Sequence, residues 1–279
     1  MVVARYALRE AVRRRVILVV VLLTVCFLAL YGLGCVVTFD EIGSLAADDQ
    51  LDDRVLAGST LLGLSMFTTL FLGAVLAVFL TLGVVRGDAE RGLLQPLVVR
   101  PVGRTSLLLG RFAGAAVVCA AYVALVYLCA VLITGITGDW WPDRPVGPGV
   151  GLVLAVVVIA AISLLGSIFL SSTANGIAVF MLFGAGLAAG LLGQIGDALA
   201  VQTLEDVAEV AAWLLPFEAL YQAGLHGLTA DTSGITGVIV KLGPFGGAQD
   251  AGAGLWLWTA VYLALIGAGA RLAFARRDL

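Results

Sequence analysis

Residues 150–170 read VGLVLAVVVIAAISLLGSIFL, a run of 21 residues without one ionisable side chain. An α-helix rises about 1.5 Å per residue, so this run measures roughly 30 Å, the thickness of the hydrocarbon core of a bilayer. A surface helix of a soluble protein would carry polar side chains along its outer face. The run therefore predicts a helix that crosses a membrane.

Five further apolar runs flank this segment. The six predicted spans are Val16–Val37, Leu56–Val85, Phe112–Gly135, Val150–Leu170, Ile177–Ile195 and Gly254–Phe274. The first five contain no ionisable residue, and Arg271 near the end of the sixth can extend its guanidinium to the interface. In the whole chain 61% of the residues are hydrophobic and 13% are charged, and the mean hydropathy is +1.07. These values predict one all-α membrane domain over residues 1–279.

Arginine placement predicts the orientation of the spans. Thirteen of the 16 basic residues lie before the first span, between the second and third, or towards the end of the chain. Six acidic residues instead lie between the first and second spans. Because loops rich in arginine stay in the cytoplasm, both termini are predicted to be cytoplasmic. Residues 38–55, 136–149 and 196–253 are then predicted to face outside, with 231–253 as a glycine-rich loop.

The apolar segment Val207–Leu220 does not fit as a seventh span. It is short, contains two acidic residues and a proline, and a crossing here would place the C-terminal arginines outside. We therefore expect an outer amphipathic or re-entrant helix before the last span, with Thr203 near its N-terminal cap. Glu218 is expected to need a polar partner or water, since an unpaired buried carboxylate is costly. The residues of interest in this helix are Trp213, Pro216, Glu218 and Tyr221.

The loop between the second and third spans carries the strongest signal in the sequence. Residues 86–104 read RGDAERGLLQPLVVRPVGR, with charges of both signs, an apolar stretch at Leu93–Val99, and then Pro101, which ends a helix. A solvated loop does not need this apolar stretch. We therefore expect a short cytoplasmic helix that lies on lipid or on another protein.

The chain begins with a second amphipathic pattern. Arg5, Arg9 and Arg13 recur every four residues ahead of the first span, so they share one face of a helix. Such a face anchors the topology by meeting anionic lipid headgroups. It is equally compatible with contact to a cytoplasmic partner on the inner membrane surface.

Missing motifs exclude several classes of function. The chain has no phosphate-binding G-x-x-x-x-G-K-[ST] loop, and its one lysine, Lys241, lies in a predicted outer loop. One histidine, His226, predicted as a solvated loop residue, and four cysteines without metal-ligand spacing predict no metal site and no catalytic residue. A net charge of −3 gives no basic surface for nucleic acid. Two alternatives stay open: a membrane enzyme, and a carrier or channel that works without an ATPase.

The loop and the span that follows it resemble the coupling region of type-2 ABC exporter permeases. The family pattern is roughly E-x-E-x-G-T-L, a leucine-rich stretch, P-[VL]-[SG]-R and then L-L-G-[KR]. The matching residues, in order, are Asp88, Glu90, Gly92, Leu94, Pro101, Val102, Gly103, Arg104 and Leu108–Arg111. Asp88 stands where the family has its first glutamate, and Leu93 where it has threonine. The likeness extends over the whole chain, and the layout is similar to the permease of nitrous-oxide-reductase maturation systems.

That resemblance implies the membrane-spanning permease of an ATP-driven exporter in a prokaryotic cell membrane, working by alternating access. It also implies a homodimer docked on two separate cytoplasmic ATPase subunits, which bind ATP and Mg²⁺ while this chain binds no cofactor. The residues it implies for coupling to the ATPase are Asp88, Glu90, Arg91, Gly92, Leu94, Pro101 and Arg104. The charge-free spans favour a hydrophobic or amphipathic cargo.

Overall fold

A computed structural model describes residues 15–44, 52–82, 104–228, 230, 232, 236 and 252–275. These residues form α1 (Arg15–Ser44), α2 (Asp53–Thr81), α3 (Arg104–Gly138), α4 (Val146–Phe169), α5 (Ser172–Leu199), α6 (Gln202–Leu214), α7 (Pro216–His226) and α8 (Ala253–Ala275). Six of them, α1 to α5 and α8, are long and apolar enough to cross a membrane, and the described part of the chain contains no strand. The predicted all-α fold with six candidate spans is confirmed.

Several long helices continue beyond the predicted spans, whereas α2 ends at Thr81, four residues before the predicted end at Val85. α1 runs seven residues past Val37, and α3 starts eight residues before Phe112. Residues 38–44, expected in a loop, are therefore helical. The reason lies in Phe39, which is buried and places its ring directly over Gly138 of α3, where a Cβ would overlap it. Packing of this ring gives the end of α1 a tertiary contact that hydropathy does not register.

Two helices, α2 and α4, form the centre of the bundle. Most of their residues are buried, whereas α1, α5 and α8 expose most of their apolar surface, as lipid-facing helices do. Close approach depends on small residues: a Cβ built on Gly73 of α2 would lie 2.7 Å from Val156 of α4 and 3.0 Å from Val123 of α3. Small residues at helix crossings are how membrane helices gain van der Waals contact without a hydrophobic driving force.

Loops that arginine placement predicts to be outside meet at one end of the bundle. The backbone amides of Asp143 and Arg144, just before α4, donate to the carbonyls of Leu228 and Gly227, just after α7. The amide of Asp52 donates to Thr236 Oγ1 at 3.1 Å. These bonds bring the residues that precede α2 and α4 and those that follow α7 to the same end.

The chain between α5 and α8 forms a helical hairpin, which consists of α6 and α7 (residues 202–226). α6 packs back along α5, with Ala208 against Gly193, where a Cβ would lie 2.8 Å from the alanine methyl. α7 packs along the start of α4, where a Cβ on Gly151 would lie 2.8 Å from the carbonyl oxygen of Leu220. The hairpin thus leaves the end of α5 and returns to the loop before α4.

Three details of this hairpin differ from the sequence prediction. The expected single helix is broken at Leu215 (φ −129°, ψ 68°), because Pro216 has no amide hydrogen and starts α7 as its first residue. The N-cap of α6 is Val201 and has no side-chain cap bond, so Thr203 is not the cap and lies inside the first turn. His226, predicted in a loop, is the half-buried last residue of α7.

Candidate functional site

A buried polar cluster ties the ends of three helices together. The hydroxyls of Thr81 (α2) and Ser163 (α4) form a hydrogen bond of 2.6 Å, and the amide of Asn175 (α5) donates to the Ser163 carbonyl at 2.9 Å. All three side chains are buried. The Asn175 Oδ1 atom lies over Gly166 and has no hydrogen-bond partner among the described residues. Polar bonds of this kind fix the relative position of membrane helices.

This cluster lies next to the loop that the sequence predicts to be the coupling segment. Thr81 is the last residue of α2, five residues before Arg86, and Arg104 is the first residue of α3. The other predicted coupling residues, Asp88, Glu90, Arg91, Gly92, Leu94 and Pro101, lie outside the described residues, as do Arg5, Arg9 and Arg13.

At the far side of the bundle the hairpin carries a buried carboxylate. Glu218 is only 6% exposed, and its Oε1 atom accepts a hydrogen bond of 2.7 Å from Gln222 Nε2. Gln222 Oε1 in turn accepts from Gln194 Nε2 at 3.1 Å. Burial raises the pKa of the Glu218 carboxyl to about 7, and the Gln222 bond opposes this shift only in part. The sequence analysis predicts that Glu218 needs a polar partner, and Gln222 is such a partner.

The first turn of α7 packs against two glycines of α5. The ring of Phe217 lies over Gly186, where a Cβ would be 2.6 Å from its edge, and the Glu218 carboxylate lies over Gly190, where a Cβ would overlap it. Phe217 also stacks on Phe183 with ring centroids 5.8 Å apart. Gly186 is 13 residues from the C-terminal end of α5. The start of α7, which packs on Gly186, therefore lies about 20 Å from that end of the helix.

Side chains of α8 bind the backbone at the break between α6 and α7. Trp258 Nε1 donates to the Trp213 carbonyl at 3.0 Å, and the Tyr262 hydroxyl donates to the Leu214 carbonyl at 2.8 Å. These carbonyls lack helical partners because α6 ends there. The rings of Trp213 and Trp258 also meet edge to face at 5.0 Å. The break is therefore anchored by side chains of α8.

A cavity of about 480 Å³ opens beside Glu218, between α5, the hairpin and the start of α8. Its polar lining comes from Gln194, Asp197, Glu205, Glu209, Glu218 and Gln222. The other lining residues are mostly glycine and alanine, and no basic side chain occurs among the lining residues that the structure describes. Within the described part of the chain, no three acidic, histidine or cysteine side chains are arranged to hold one metal ion. The described lining of the cavity is therefore acidic.

The family described as ABC-2 family transporter protein matches residues 1–279, the whole chain. The chain belongs to this family. ABC-2 proteins of this kind are the membrane permeases of ABC transporters, and the six apolar helices agree with a multi-pass membrane protein. No curated protein matches the chain closely.

Sequence reasoning found some residues of this ABC-2 permease and missed others. It named Trp213, Pro216, Glu218 and Tyr221, and the structure brings all four into the hairpin. It missed Gln222, although a spacing of four places that side chain on the same helical face as Glu218. Gln194 and Asn175 contact their partners only through the tertiary fold, so no local pattern shows them.

Tyr221 does not join the carboxylate–amide chain. Its ring meets Phe67 of α2 edge to face, with centroids 6.5 Å apart. Its hydroxyl is buried and has no hydrogen-bond partner among the described residues. Burial, with the nearby Glu218 carboxylate as a smaller cause, raises the pKa of this phenol. In this ABC-2 permease Tyr221 therefore serves to pack α7 against α2.

Proposed function

We propose that this ABC-2 permease is the transmembrane subunit of an ATP-driven exporter, working as a homodimer on two separate cytoplasmic ATPase subunits. The match of the whole chain to the ABC-2 family carries the proposal, since permeases of this family generally act with partner ATPases. The segment 86–104 adds support, because its charged start and apolar stretch have the composition of a helix that docks on another protein.

Both termini and the segment 86–104 face the cytoplasm in this proposal. The arginine distribution supports that orientation. The residues just before α2, just before α4 and just after α7 lie together at one end of the bundle. They must therefore face the same side of the membrane, and this agrees with the proposed orientation. The helical hairpin is then re-entrant: it enters from the outer side and returns there.

ATP-driven closure of the ATPases would push on the segment 86–104, which α2 precedes and α3 follows. The bonds of Thr81, Ser163 and Asn175 link the end of α2 to α4 and α5, so a displacement of α2 moves three helices together. The same α4 and α5 hold the hairpin through Gly151 and Gly186. Movement at the inner end therefore reaches the outer hairpin through rigid helices, as alternating access requires.

Two finer features belong to the same proposal. The cargo is hydrophobic or amphipathic, because the spans offer almost no charge to a polar substrate. The resemblance in layout to the permease of nitrous-oxide-reductase maturation systems suggests a maturation role, in which cargo or mechanical work is delivered to partners on the outer side.

Purification of the tagged permease from its native membrane tests the proposal. We expect a P-loop ATPase to co-purify at one copy per permease, and the complex to hydrolyse ATP faster than the ATPase alone. A permease that is pure, folded and active in transport without any P-loop protein would instead establish an ATPase-independent carrier.

A further inference from the structure

The Glu218 carboxylate lies deep along a candidate span rather than near its end. It packs on Gly190, which is nine residues before the C-terminal end of α5 at Leu199, a distance of about 14 Å along the helix. Glu218 belongs to the helical hairpin, whereas α5 is one of the six helices that can cross the membrane. Ionisable side chains at such a depth are rare in membrane proteins and mark paths of ions or protons.

The packing of this carboxylate favours its neutral form. The side chain is only 6% exposed, and a methyl group on Gly190 would overlap it. Its Oε1 atom accepts a hydrogen bond from Gln222 Nε2, which is an uncharged donor. The described residues that line the adjoining cavity include no arginine, lysine or histidine. Burial without a positive partner disfavours a carboxylate relative to a carboxylic acid.

The helices around Glu218 bring no positive charge to it in the part of the chain that the structure describes. Asp143 and Arg144, just before α4, bind the backbone at the opposite end of α7. The described contacts of α2 and α4 with α7 include Phe67 and Gly151, and α8 contributes Leu255 to the cavity, none of which ionises. The ionisable groups on the other elements are Asp197 of α5, Glu205 and Glu209 of α6, and Tyr221 of α7. Acidic neighbours only oppose the ionised form of Glu218.

We propose that Glu218 is a proton-binding site that controls whether the helical hairpin packs on α5: the carboxyl takes up a proton when the hairpin packs and releases it when the hairpin moves away. The proton passes between solvent and the carboxyl through the cavity of about 480 Å³, which Glu218 lines. One O–H bond forms on packing and breaks on release, so the step needs no other reactant. The inference goes beyond the proposed function, because it concerns a single chain and needs neither ATP nor an ATPase.

Protonation controls the position of the hairpin in a defined direction. Burial against α5 raises the pKa of the Glu218 carboxyl from 4.5 to about 7, although the Gln222 bond opposes this in part. Away from α5 the pKa returns towards its ordinary value. The packed hairpin is therefore favoured fully below pH 4.5, and this advantage is lost as the pH rises through about 7. The ratio of packed to released hairpins falls on the order of a hundredfold over this interval.

Distances between two spin labels, measured by electron paramagnetic resonance on the purified full-length permease, test this proposal. The labels replace Val210 of α6 and Ile136 of α3, which are both exposed, in a variant without the four native cysteines. At pH 5.5 we expect a single distance, which corresponds to the packed hairpin. At pH 8 we expect a second distance, with a population at least tenfold larger than at pH 5.5.

Three substitutions separate proton binding from a structural role. Glu218→Gln keeps the shape of the side chain but cannot ionise, so it should keep the pH 5.5 distance at every pH. Gln222→Leu removes the hydrogen bond that favours the ionised carboxylate, so its transition should move to higher pH. Glu209→Gln, at an exposed acid that lines the same cavity, is the matched control and should respond to pH as wild type does.

Two results would overturn the proposal. One is a wild-type distance that does not change between pH 5.5 and pH 8. The other is the same pH response in Glu218→Gln as in wild type, or, if that variant does not fold, an unshifted transition in Gln222→Leu. Because no ATPase is present in these measurements, both results would leave the ATP-driven permease untouched.

Discussion

The carboxylate of Glu218 lies directly over Gly190, so closely that a Cβ on residue 190 would overlap Oε1. The two residues are 28 positions apart in the sequence, and their contact joins α7 to the middle of α5. Four positions earlier on α5, Gly186 receives the ring of Phe217 in the same way. The helical hairpin is therefore held by two consecutive side chains in two glycine notches.

Gly190→Ala is expected to destabilise the protein by about 1–3 kcal/mol, because the methyl group would displace the buried carboxylate and its Gln222 bond. Gly184→Ala, on the same helix with open space around it, is the matched control. It should be neutral or slightly stabilising, since alanine is the better helix former by about 1 kcal/mol. Thermal unfolding in detergent measures both, and equal melting temperatures would contradict the close contact.

Glu218, which lies outside the six spans, is expected to make stability depend on pH. Its pKa rises from 4.5 to about 7 on folding, so the folded state binds this proton more tightly than the unfolded state does. The contribution is fully present below pH 4.5 and is lost as the pH rises through about 7, with a size on the order of 3 kcal/mol. Wild type should melt higher at pH 5.5 than at pH 8.

The Glu218→Gln variant is the control for that measurement, because glutamine keeps the shape and cannot ionise. Its melting temperature should change less than that of wild type over the same pH interval. An identical pH dependence in both proteins would show that other groups produce the effect.

Thr81→Val is expected to cost about 1–3 kcal/mol, since it leaves the buried Ser163 hydroxyl without its partner on α2. Thr68→Val is the matched control on the same helix, because among the described residues the Thr68 hydroxyl bonds to the Leu64 carbonyl one turn earlier and to no other helix. If the cluster transmits movement, Thr81→Val should also reduce ATPase stimulation, while Thr68→Val should not. Loss of stability without loss of stimulation would restrict the cluster to a structural role.

Hydropathy predicted the spans because lipid leaves a helix no alternative to an apolar surface and a satisfied backbone. Hydropathy predicted that the first span ends at Val37, but α1 continues to Ser44. The packing of Phe39 on Gly138 that accompanies this extension is a tertiary contact, which hydropathy does not register. It found Val207–Leu220 but not the break at Leu215, although Pro216 was visible in the sequence. The partner of Glu218 on its own helix, Gln222, was within reach of a spacing argument. Gln194 was not, since it is 28 residues away from Gln222.

A reporter that is active only in the cytoplasm, fused directly after residue 230, tests the path of the hairpin. We expect no reporter activity, because α6 and α7 return to the end from which they start. Fusion after residue 95, in the predicted coupling segment, should give full activity and serves as the positive control. Activity after residue 230 would mean that the hairpin crosses the membrane, and the six-span orientation would fail.

The rate of ATP hydrolysis by the reconstituted complex tests the central claim most directly. The account predicts that the wild-type permease stimulates its partner ATPase. It also predicts that Glu90→Ala and Arg91→Ala reduce this stimulation several-fold, because they remove charges from the start of the coupling segment that the sequence predicts. Both variants should insert and melt as wild type does. Full stimulation by both variants would remove these residues from coupling, and the absence of stimulation by the wild type would contradict an ATP-driven permease.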